Sequence, residues 1–295
     1  MSLQGTVPTA FELFFQRTPQ SDRVELEARE DRFFHSIELR NGTRKTTWHR
    51  RLDDLNEFVM GLLPMQRPLE IMDVAVSSGV SSAEWLEALE RAGVQCRMVA
   101  GDAVVESFLI SFGPRLRALA DRTGHLMQLD IGGHAIRLPP PRRRDQLRYL
   151  PCIRLMELAT RLFDLTSLPR GAEVRRWGVS CRALALLSPS LSQLPRLEAV
   201  EDDILTDGRF ARRFHVLRAA NILNLAYFDT DTLTRMVSNL RDRLLPGGLL
   251  IICRTSEQQS NDATVFTLGE DGRLRVAARL NRGSEIEPLA LALRC

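Results

Sequence analysis

Two aspartates stand at the ends of two apolar segments, and a loop of small residues follows the first of them. Asp73 lies in LEIMDVAV, which runs into Ser-Ser-Gly-Val-Ser-Ser, and Asp102 ends VQCRMVAGD. A loop that binds phosphate is expected to gather glycines and a cation, but this loop has Gly79 as its one glycine and no lysine. The pattern therefore favours a ligand with a ribose and a cationic or zwitterionic end over a ligand that carries phosphate.

Two strands and the helix between them are expected to position these carboxylates. Ser81 and Glu84 have capping-box spacing at the start of that helix, and Gly93 stands where a C-cap glycine belongs. A strand, a helix and a strand within about 30 residues predict a parallel pair with a right-handed crossover. Because ligands bind beyond the carboxyl ends of parallel strands, Asp73 and Asp102 are expected at one ligand-binding edge.

The segments on either side of this unit give further elements. Residues 24–45 are compatible with a strand pair that turns at Asn41-Gly42, and the apolar spacing over 48–63 predicts a helix that the following proline ends. A helix is expected over about 104–122. After it, HLMQLDIGGHAIRL predicts a hairpin and LRYLPCIRLMELATRLFDLT predicts a helix.

The later part of the chain returns to a regular pattern. CRALALL, LEAVEDDIL, FHVLRAANIL and LLIICRT each predict a short buried strand, and a helix is expected over about 230–245. Two alternating segments around Asp271-Gly272 predict a terminal hairpin, which is typical of an antiparallel edge on a parallel sheet.

These elements predict an α/β protein with a Rossmann-like, doubly wound and mostly parallel sheet that has antiparallel edge strands. An N-terminal helical cap is expected over residues 1–64. The main domain is expected over 65–295, with an insertion at about 103–180 that does not belong to a minimal doubly wound sheet.

Several segments, taken in chain order, resemble one known family. They are DVAVSSG, Asp102, VEDDI, FHVLRAANILNLAYF and LLPGGLLII, and together they are similar to the landmarks of the class I S-adenosylmethionine-dependent methyltransferases. The first motif of that family reads D-x-G-x-G-x-G. DVAVSSG has Asp73 at the acid, Ala75 and Ser77 at the first two glycines, and Gly79 at the third.

The resemblance implies S-adenosylmethionine as the cofactor. Asp73 would contact the methionyl ammonium, directly or through water. Asp102 would accept hydrogen bonds from both ribose hydroxyls, and Asp203 would face the exocyclic amine of adenine. The expected cofactor-binding residues are Asp73, Ala75, Ser77, Gly79, Asp102, Asp203 and Asn221.

The resemblance also implies where the methyl acceptor meets the cofactor. Asn221, Asn224 and Tyr227 follow the predicted fourth strand and are candidate catalytic residues. The segment FHVLRAANILNLAYF is most like one in chemotaxis receptor methyltransferases, but Ala220 replaces their arginine, so their protein substrate is not carried over. The expected reaction is methyl transfer to oxygen or nitrogen of a small molecule, which needs positioning of the two reactants more than a built nucleophile.

Composition limits the other classes of function. The chain has 295 residues and a net charge of +3, and its basic residues are arginines except for Lys45, which gives little support to nucleic-acid binding. Its five cysteines form no C-x-x-C pair, so no metal site is expected. No apolar segment reaches about 18 residues, so no membrane partner is expected. A cytoplasmic protein is predicted, with a homodimer possible.

Two other interpretations stay open from the sequence. The replaced glycines and the insertion favour a non-catalytic relative that binds the cofactor, or nothing, and acts as a scaffold or partner protein. A nicotinamide-dependent reductase is the third interpretation, and a thermal shift with NADPH would identify it.

Overall fold

A computed structural model describes most of the chain. The described residues are 6–16, 23–40, 42, 44–45, 47–64, 68–140, 142–189, 191, 194–206 and 208–293. The chain divides into two compact units. The antiparallel-sheet unit comprises Met1–Thr47 and Val104–Pro189, and the parallel-sheet unit comprises Trp48–Ala103 and Ser190–Cys295.

Seven helices and thirteen strands lie within the described residues. The helices are α1 (Ala10–Phe15), α2 (Arg23–Ser36), α3 (Asp53–Met60), α4 (Val80–Arg91), α5 (Arg143–Thr160), α6 (Thr230–Asp242) and α7 (Glu287–Ala292). The strands are β1 (Leu69–Val74), β2 (Cys96–Asp102), β3 (Glu106–Phe112), β4 (Leu116–Asp121), β5 (Leu126–Ile131), β6 (His134–Arg137), β7 (Glu173–Arg176), β8 (Val179–Ala185), β9 (Leu197–Glu201), β10 (Phe214–Ala220), β11 (Leu244–Thr255), β12 (Asn261–Leu268) and β13 (Leu274–Leu280).

The parallel-sheet unit is built on a seven-stranded sheet in the order β13-β12-β11-β10-β1-β2-β9. The five strands from β9 to β11 pair in parallel, and β12 pairs antiparallel with both β11 and β13. The predicted α/β fold with a mostly parallel sheet is confirmed. Strand order reverses between β1 and β10, because the chain goes from β1 to β2 and β9 on one side before it returns to β10 on the other.

Both faces of this sheet are covered by helices. Met72 and Val74 of β1 pack toward α6, whose apolar side chains share one core cluster with them. Leu69 and Ile71 face the other way, toward α3 and toward Trp85 of α4. These strands are buried on both faces, which explains why they are continuously apolar in sequence instead of alternating.

The antiparallel-sheet unit has a six-stranded sheet in the order β6-β5-β4-β3-β8-β7. On one face, Met156 of α5 packs with Phe108, Leu129 and other apolar residues of the sheet. On the other face, Phe33 and Phe34 of α2 form a second cluster with apolar residues of β3, β4, β5 and β8. This unit therefore has two core layers of its own.

Several predictions for the antiparallel-sheet unit are wrong. The segment over 104–122 is the β3–β4 hairpin and not a helix, because its apolar side chains alternate between the two cores. Most of 24–45 is helix α2. Among the described residues of this segment, the predicted strand pair is reduced to one isolated bridge between Glu38 and Arg44. Asn41 of its predicted turn lies outside the described residues.

The predicted limits of the insertion and of the N-terminal cap also differ from the limits of the two compact units. CRALALL lies in β8, which pairs with β3 and β7 of the antiparallel sheet and not with the parallel strands. The helix predicted over 48–63 is the shorter α3, which belongs to the parallel-sheet unit. The hairpin at Gly132-Gly133 and the helix after it are present as β5–β6 and α5.

Within the part of the chain that the structure describes, no helix combines the length and the apolar character needed to cross a bilayer.

Candidate functional site

The candidate site is the edge of the parallel sheet where β1, β2 and β10 end. Strand order reverses between β1 and β10, and open α/β sheets bind ligands in the crevice at such a switch point. The loop between β1 and α4 leaves the sheet at this edge. The edge brings together Asp73, Asp102 and the loop from Ala75 to Gly79, whereas Asp203 lies in an exposed turn after β9.

Three alternate residues of the β1–α4 loop have left-handed backbone conformation. The φ angles are 55° at Ala75, 59° at Ser77 and 78° at Gly79. Alanine and serine rarely adopt positive φ, at a cost of about 1–2 kcal/mol each, and such strain occurs mostly at functional sites. The three positions are those at which the motif D-x-G-x-G-x-G has glycine, so the backbone here is left-handed at all three although two of them carry a side chain.

Gly79 is required at its position for two reasons. Its φ angle favours glycine, and a Cβ atom on it would overlap Cδ2 of Leu191. It is also the N-cap residue of α4, which makes no side-chain cap. The capping box predicted at Ser81 and Glu84 is therefore wrong, because Ser81 already lies inside the helix.

Asp102 connects the end of β2 to the loop. Its Oδ2 atom accepts a hydrogen bond of 2.7 Å from the backbone N–H of Ser77, and its side chain is buried. The neighbouring N–H of Val76 donates to the carbonyl of Gly101 at 3.1 Å. These two bonds hold the loop in its left-handed conformation against β2, and they place the Asp102 carboxylate at the predicted edge.

Asp73 has a partner inside the protein. Arg218 of β10 lies directly opposite it in the sheet register and donates to it through Nε at 3.0 Å and Nη2 at 2.5 Å. Ser82 donates its hydroxyl to the same carboxylate at 2.7 Å. Since the two charged side chains are only 1% and 5% exposed, Asp73 and Arg218 form a buried ion pair across the switch point.

The Arg218 guanidinium is enclosed on all of its donor sides. It donates to the side-chain oxygen of Asn56 in α3 at 2.8 Å and to the carbonyl of Ser81 in α4 at 3.0 Å. Its centre also lies 4.2 Å above the ring of Trp85. The sequence analysis missed Arg218, although an arginine inside an apolar strand next to a strand with an inward aspartate is the signal of such a pair.

A second buried ion pair lies on the other face of the sheet. Arg243 donates to Asp202 at 2.6 Å and 3.0 Å, and both side chains are buried. The backbone N–H of Asp202 donates to the carbonyl of Asp102 at 3.0 Å, so this pair also fixes the end of β2. A Cβ atom at Gly101 would lie 3.1 Å from Asp202, which explains the glycine there.

Asp203, the residue expected to face adenine, lies in a turn after β9. Its side chain is exposed and accepts a hydrogen bond of 2.9 Å from the backbone N–H of Leu205. This contact is a local turn, which leaves the carboxylate on the surface of the parallel-sheet unit.

Asn221 joins the ends of β10 and β11. Its φ angle is 63°, its Nδ2 donates to Oγ1 of Thr255 at 3.1 Å, and its Oδ1 accepts from the N–H of Thr255 at 2.7 Å. Arg51 donates to the same Thr255 hydroxyl at 3.1 Å, and burial lowers the pKa of Arg51. The Asn221 amide therefore forms part of a polar network at the switch point.

The other two catalytic candidates follow β10. Asn224 is buried, and its Oδ1 accepts a hydrogen bond of 2.8 Å from the N–H of Ala226. Tyr227 has a 72% exposed side chain in the turn that Asn224 stabilises. Asn224 is positioned as a turn residue, whereas the Tyr227 phenol extends from the turn into solvent.

Two serine hydroxyls at the start of α4 provide a test of whether a polar ligand fits this edge. Within the described residues, the buried Oγ atoms of Ser78 and Ser81 have no hydrogen-bond partner. Buried hydroxyls in proteins are nearly always hydrogen-bonded. With the Asp102 carboxylate, the start of α4 and the end of β2 thus carry hydroxyl donors and a carboxylate acceptor, a set of groups that fits a polar ligand.

The described residues give no sign of a metal at this edge, since no group of three His, Cys, Asp or Glu side chains converges among them.

The comparisons with known proteins give matches in structure but not in sequence. No family model matches the chain, and no curated protein sequence matches it. Solved structures that match include many class I methyltransferases. One is the CMeT domain of the citrinin polyketide synthase, with 14% identity over 70% of this chain and 35% of that one, at a TM-score of 0.35.

Two further matches come from bacteria. A putative methyltransferase from Bacillus halodurans has 14% identity over 68% of this chain and 51% of that one, at a TM-score of 0.32. The N-methyltransferase NodS from Bradyrhizobium japonicum, solved with S-adenosyl-L-homocysteine, has 11% identity over 71% and 65%, at a TM-score of 0.34. The match to each of these three covers less than two thirds of the other protein's length. Because these scores are low, the fold assignment rests on strand order.

Proposed function

We propose that this chain binds S-adenosylmethionine at the carboxyl ends of β1 and β2 and transfers its methyl group to oxygen or nitrogen of a small-molecule acceptor. The observation that carries the proposal is the left-handed conformation of Ala75, Ser77 and Gly79. An alanine and a serine rarely adopt this strained conformation, and such strain clusters at active sites and ligand-binding loops. A loop that must bring its backbone close to a ligand gives a reason for it beyond the two hydrogen bonds that hold it against β2.

Different residues at the edge would contact different parts of the cofactor. Asp102 would accept hydrogen bonds from the ribose hydroxyls, and the loop from Ala75 to Gly79 would follow the ligand with its backbone. Ser78 and Ser81 offer hydroxyl donors that the protein leaves unused. When bound, the cofactor would supply an electrophilic methyl group on a sulfonium.

In this proposal Asp73 acts through Arg218. Its carboxylate is already paired with the guanidinium, so the aspartate fixes the ends of β1 and β10 and the start of α4 relative to one another. The methionyl ammonium would then meet a neutral ion pair instead of a bare carboxylate. This role differs from the contact with the methionyl ammonium, direct or through water, that the family resemblance implies.

On the acceptor side, the proposal assigns positioning to Asn221 and solvent-side contact to Tyr227. Asn221 is held by Thr255 at the switch point, where it would border the acceptor. The enzyme's main task would be to hold acceptor and methyl group in line, which contributes through proximity and needs no activated nucleophile. Tyr227→Phe tests whether the phenol takes part, because the change leaves the apolar contacts in place.

The proposal is tested by calorimetric titration of the full chain with S-adenosylhomocysteine. We expect binding in the micromolar range for the wild type. Asp102→Asn should weaken it by about tenfold or more, since a hydrogen bond to a charged group contributes about 1.5–3 kcal/mol. The amide oxygen of the variant can still accept from the Ser77 N–H, so the loop is expected to keep its conformation.

Asp242→Asn is the matched control for this titration. Asp242 is exposed at the end of α6, and its substitution changes the net charge by the same amount. Its affinity for S-adenosylhomocysteine should equal that of the wild type. A folded wild type that gives no binding, or an Asp102→Asn variant that binds like the wild type, would contradict the proposal.

A non-catalytic scaffold is the second candidate, and one observation favours it. The Leu191 side chain lies against Gly79, on the loop that the cofactor would approach. If Leu191 holds this position permanently, the edge is closed by the protein's own side chain. Leu191→Ala then separates the two functions. If the wild type does not bind S-adenosylhomocysteine and the variant does, the scaffold is supported. If both proteins bind it equally well, the enzyme is supported.

A further inference from the structure

Helix α5 of the antiparallel-sheet unit is apolar on both of its faces. Its inner face packs on the sheet through Met156, Ala159 and neighbouring apolar residues. Four leucines lie on the outer face, and all are exposed: Leu147, Leu150, Leu155 and Leu158. Leu147 and Leu158 are 73% and 60% exposed. Packing of α5 on its sheet does not require these four leucines.

The four leucines form one stripe along the helix. Leu147 and Leu158 are 11 positions apart, which at about 3.6 residues per turn puts them on the same side three turns apart. Leu150 and Leu155 flank the line between them. Pro151 and the exposed Arg154 lie on that line, so the outer face of α5 is a convex ridge on which the leucines are interrupted by an arginine. Isolated exposed leucines would instead be scattered around the helix.

Arginines surround this stripe. Between residues 142 and 161 there are six arginines and two acidic residues, Asp145 and Glu157. All six arginines are exposed. One of them, Arg154, pairs with Glu157 at 2.8 Å. The surface around the leucines is therefore strongly positive.

The tip of the β7–β8 hairpin carries an exposed tryptophan beside the same helix. Trp177 is 88% exposed, and Arg176 donates to the carbonyl of Leu162 at 3.0 Å, just beyond the end of α5. Trp177 and Gly178 form the two-residue turn with φ angles of 47° and 78°. Both angles are positive as in a type I′ turn, where asparagine and glycine are preferred and a bulky aromatic residue is strained.

We propose that the α5 leucine stripe and Trp177 dock this unit on the surface of an anionic lipid bilayer. Leucine and tryptophan would enter the interface between headgroups and acyl chains, while the surrounding arginines would contact the lipid phosphates. Tryptophan favours this interface because its ring is apolar and its N–H is polar.

Charge and shape favour a bilayer over protein partners. A second copy of the same face would bring arginines against arginines, which disfavours a symmetric dimer through it. Partner helices are generally bound in apolar grooves, whereas the outer face of α5 is the convex surface of a helix. The expectation of no membrane partner came from the lack of a spanning segment, which does not apply to docking at a surface.

Co-sedimentation of the full chain with vesicles tests the proposal. The wild type should sediment with vesicles of mixed phosphatidylcholine and phosphatidylglycerol and stay in solution with pure phosphatidylcholine. Raising the salt concentration should release it, because the attraction is partly electrostatic. Each of Arg144→Gln and Arg148→Gln should weaken binding about fivefold, the effect of one basic residue near an anionic surface.

Trp177→Asn makes the test independent of folding. The variant creates Asn-Gly, the preferred pair for this turn, so the hairpin should be at least as stable as in the wild type. Binding to the anionic vesicles should nevertheless fall by about tenfold, because the buried ring is lost. Leu291→Gln, which changes an exposed leucine of α7, is the matched control and should bind like the wild type.

Three results would overturn the proposal. The first is a wild type that stays in solution with anionic vesicles at low salt. The second is a Trp177→Asn variant that binds them as well as the wild type. The third is a concentration-dependent dimer of the wild type that Trp177→Asn dissociates, since the ridge would then be an interface between copies of this chain.

Discussion

The two units of this chain differ in which side chains depart from the usual rule of apolar residues inside and charged residues outside. In the parallel-sheet unit, Asp73 and Arg218 are charged side chains buried across the middle of the sheet. In the antiparallel-sheet unit, Trp177 and Leu147 are large apolar side chains left in water. Burying charges costs desolvation free energy, and a cluster of exposed large apolar side chains indicates an interaction surface, so each arrangement calls for a reason. The buried charges organise an edge that suits a ligand, and the exposed apolar residues form a surface that suits a bilayer.

The largest effect is expected from breaking the buried pair. Asp73→Ala leaves the Arg218 guanidinium buried without its carboxylate, which typically costs about 3–5 kcal/mol. Urea unfolding of the full chain measures this loss. The double variant Asp73→Ala/Arg218→Met removes both charges and should recover more than half of it. A loss below about 1 kcal/mol in Asp73→Ala would mean that the pair does not fix this part of the sheet.

The next effect concerns the glycine of the loop. Gly79→Ala puts a Cβ atom at positive φ and against Leu191, and it should cost about 2 kcal/mol of unfolding free energy. Gly79→Ala/Leu191→Ala removes the overlap but keeps the backbone strain, so it should be more stable than Gly79→Ala. If the single substitution proves harmless, Leu191 does not pack on the loop as described.

A smaller effect of opposite sign is expected at Ser77. Ser77→Gly relieves the left-handed strain, and after the entropy cost of glycine it should stabilise the chain by about 0.5 kcal/mol. Affinity for S-adenosylhomocysteine should be retained, because the backbone N–H that Asp102 holds is still present. Ser180→Gly is a control at an extended strand position and should destabilise. If Ser77→Gly lowers the free energy of unfolding, the left-handed backbone at Ser77 does not carry the expected strain.

The smallest effect is expected on the exposed ridge. Leu158→Gln should change the unfolding free energy by no more than about 0.5 kcal/mol, since the side chain makes little contact with the core. We also expect Leu158→Gln to lose vesicle binding while its stability is unchanged. This result would contrast with Asp73→Ala, which is expected to lose stability. A loss of 2 kcal/mol or more would indicate that Leu158 packs within the unit.

The parallel strands were predictable because burial on both faces makes them short apolar segments between turns. LEIMDVAV and FHVLRAANIL were assigned correctly on this basis. The β3–β4 hairpin was missed because each of its faces packs on a different helix layer, which puts apolar residues at adjacent positions such as Phe108, Leu109 and Ile110 and hides the alternation of a strand. Strand pairing could not be predicted either, since the sequence of CRALALL indicates a strand but does not show which sheet that strand joins.

The candidate site was predictable in position more than in detail. The motif spacing placed Asp73, Asp102 and the loop at one end of the sheet. It did not show that Asp73 would be paired, because Arg218 is 145 residues away and only the β1–β10 register brings the two together. Nor does sequence reveal that Asn221 bonds Thr255, a contact that depends on how β10 and β11 end.

Saturation-transfer NMR with S-adenosylhomocysteine tests the central claim, that the edge formed by Asp102 and the left-handed loop binds an S-adenosyl nucleoside. Saturation of the full chain should reach the ribose protons most strongly, and Asp102→Asn should reduce that signal while the Asp242→Asn control leaves it unchanged. No saturation of any ligand proton by the folded wild type would contradict the claim.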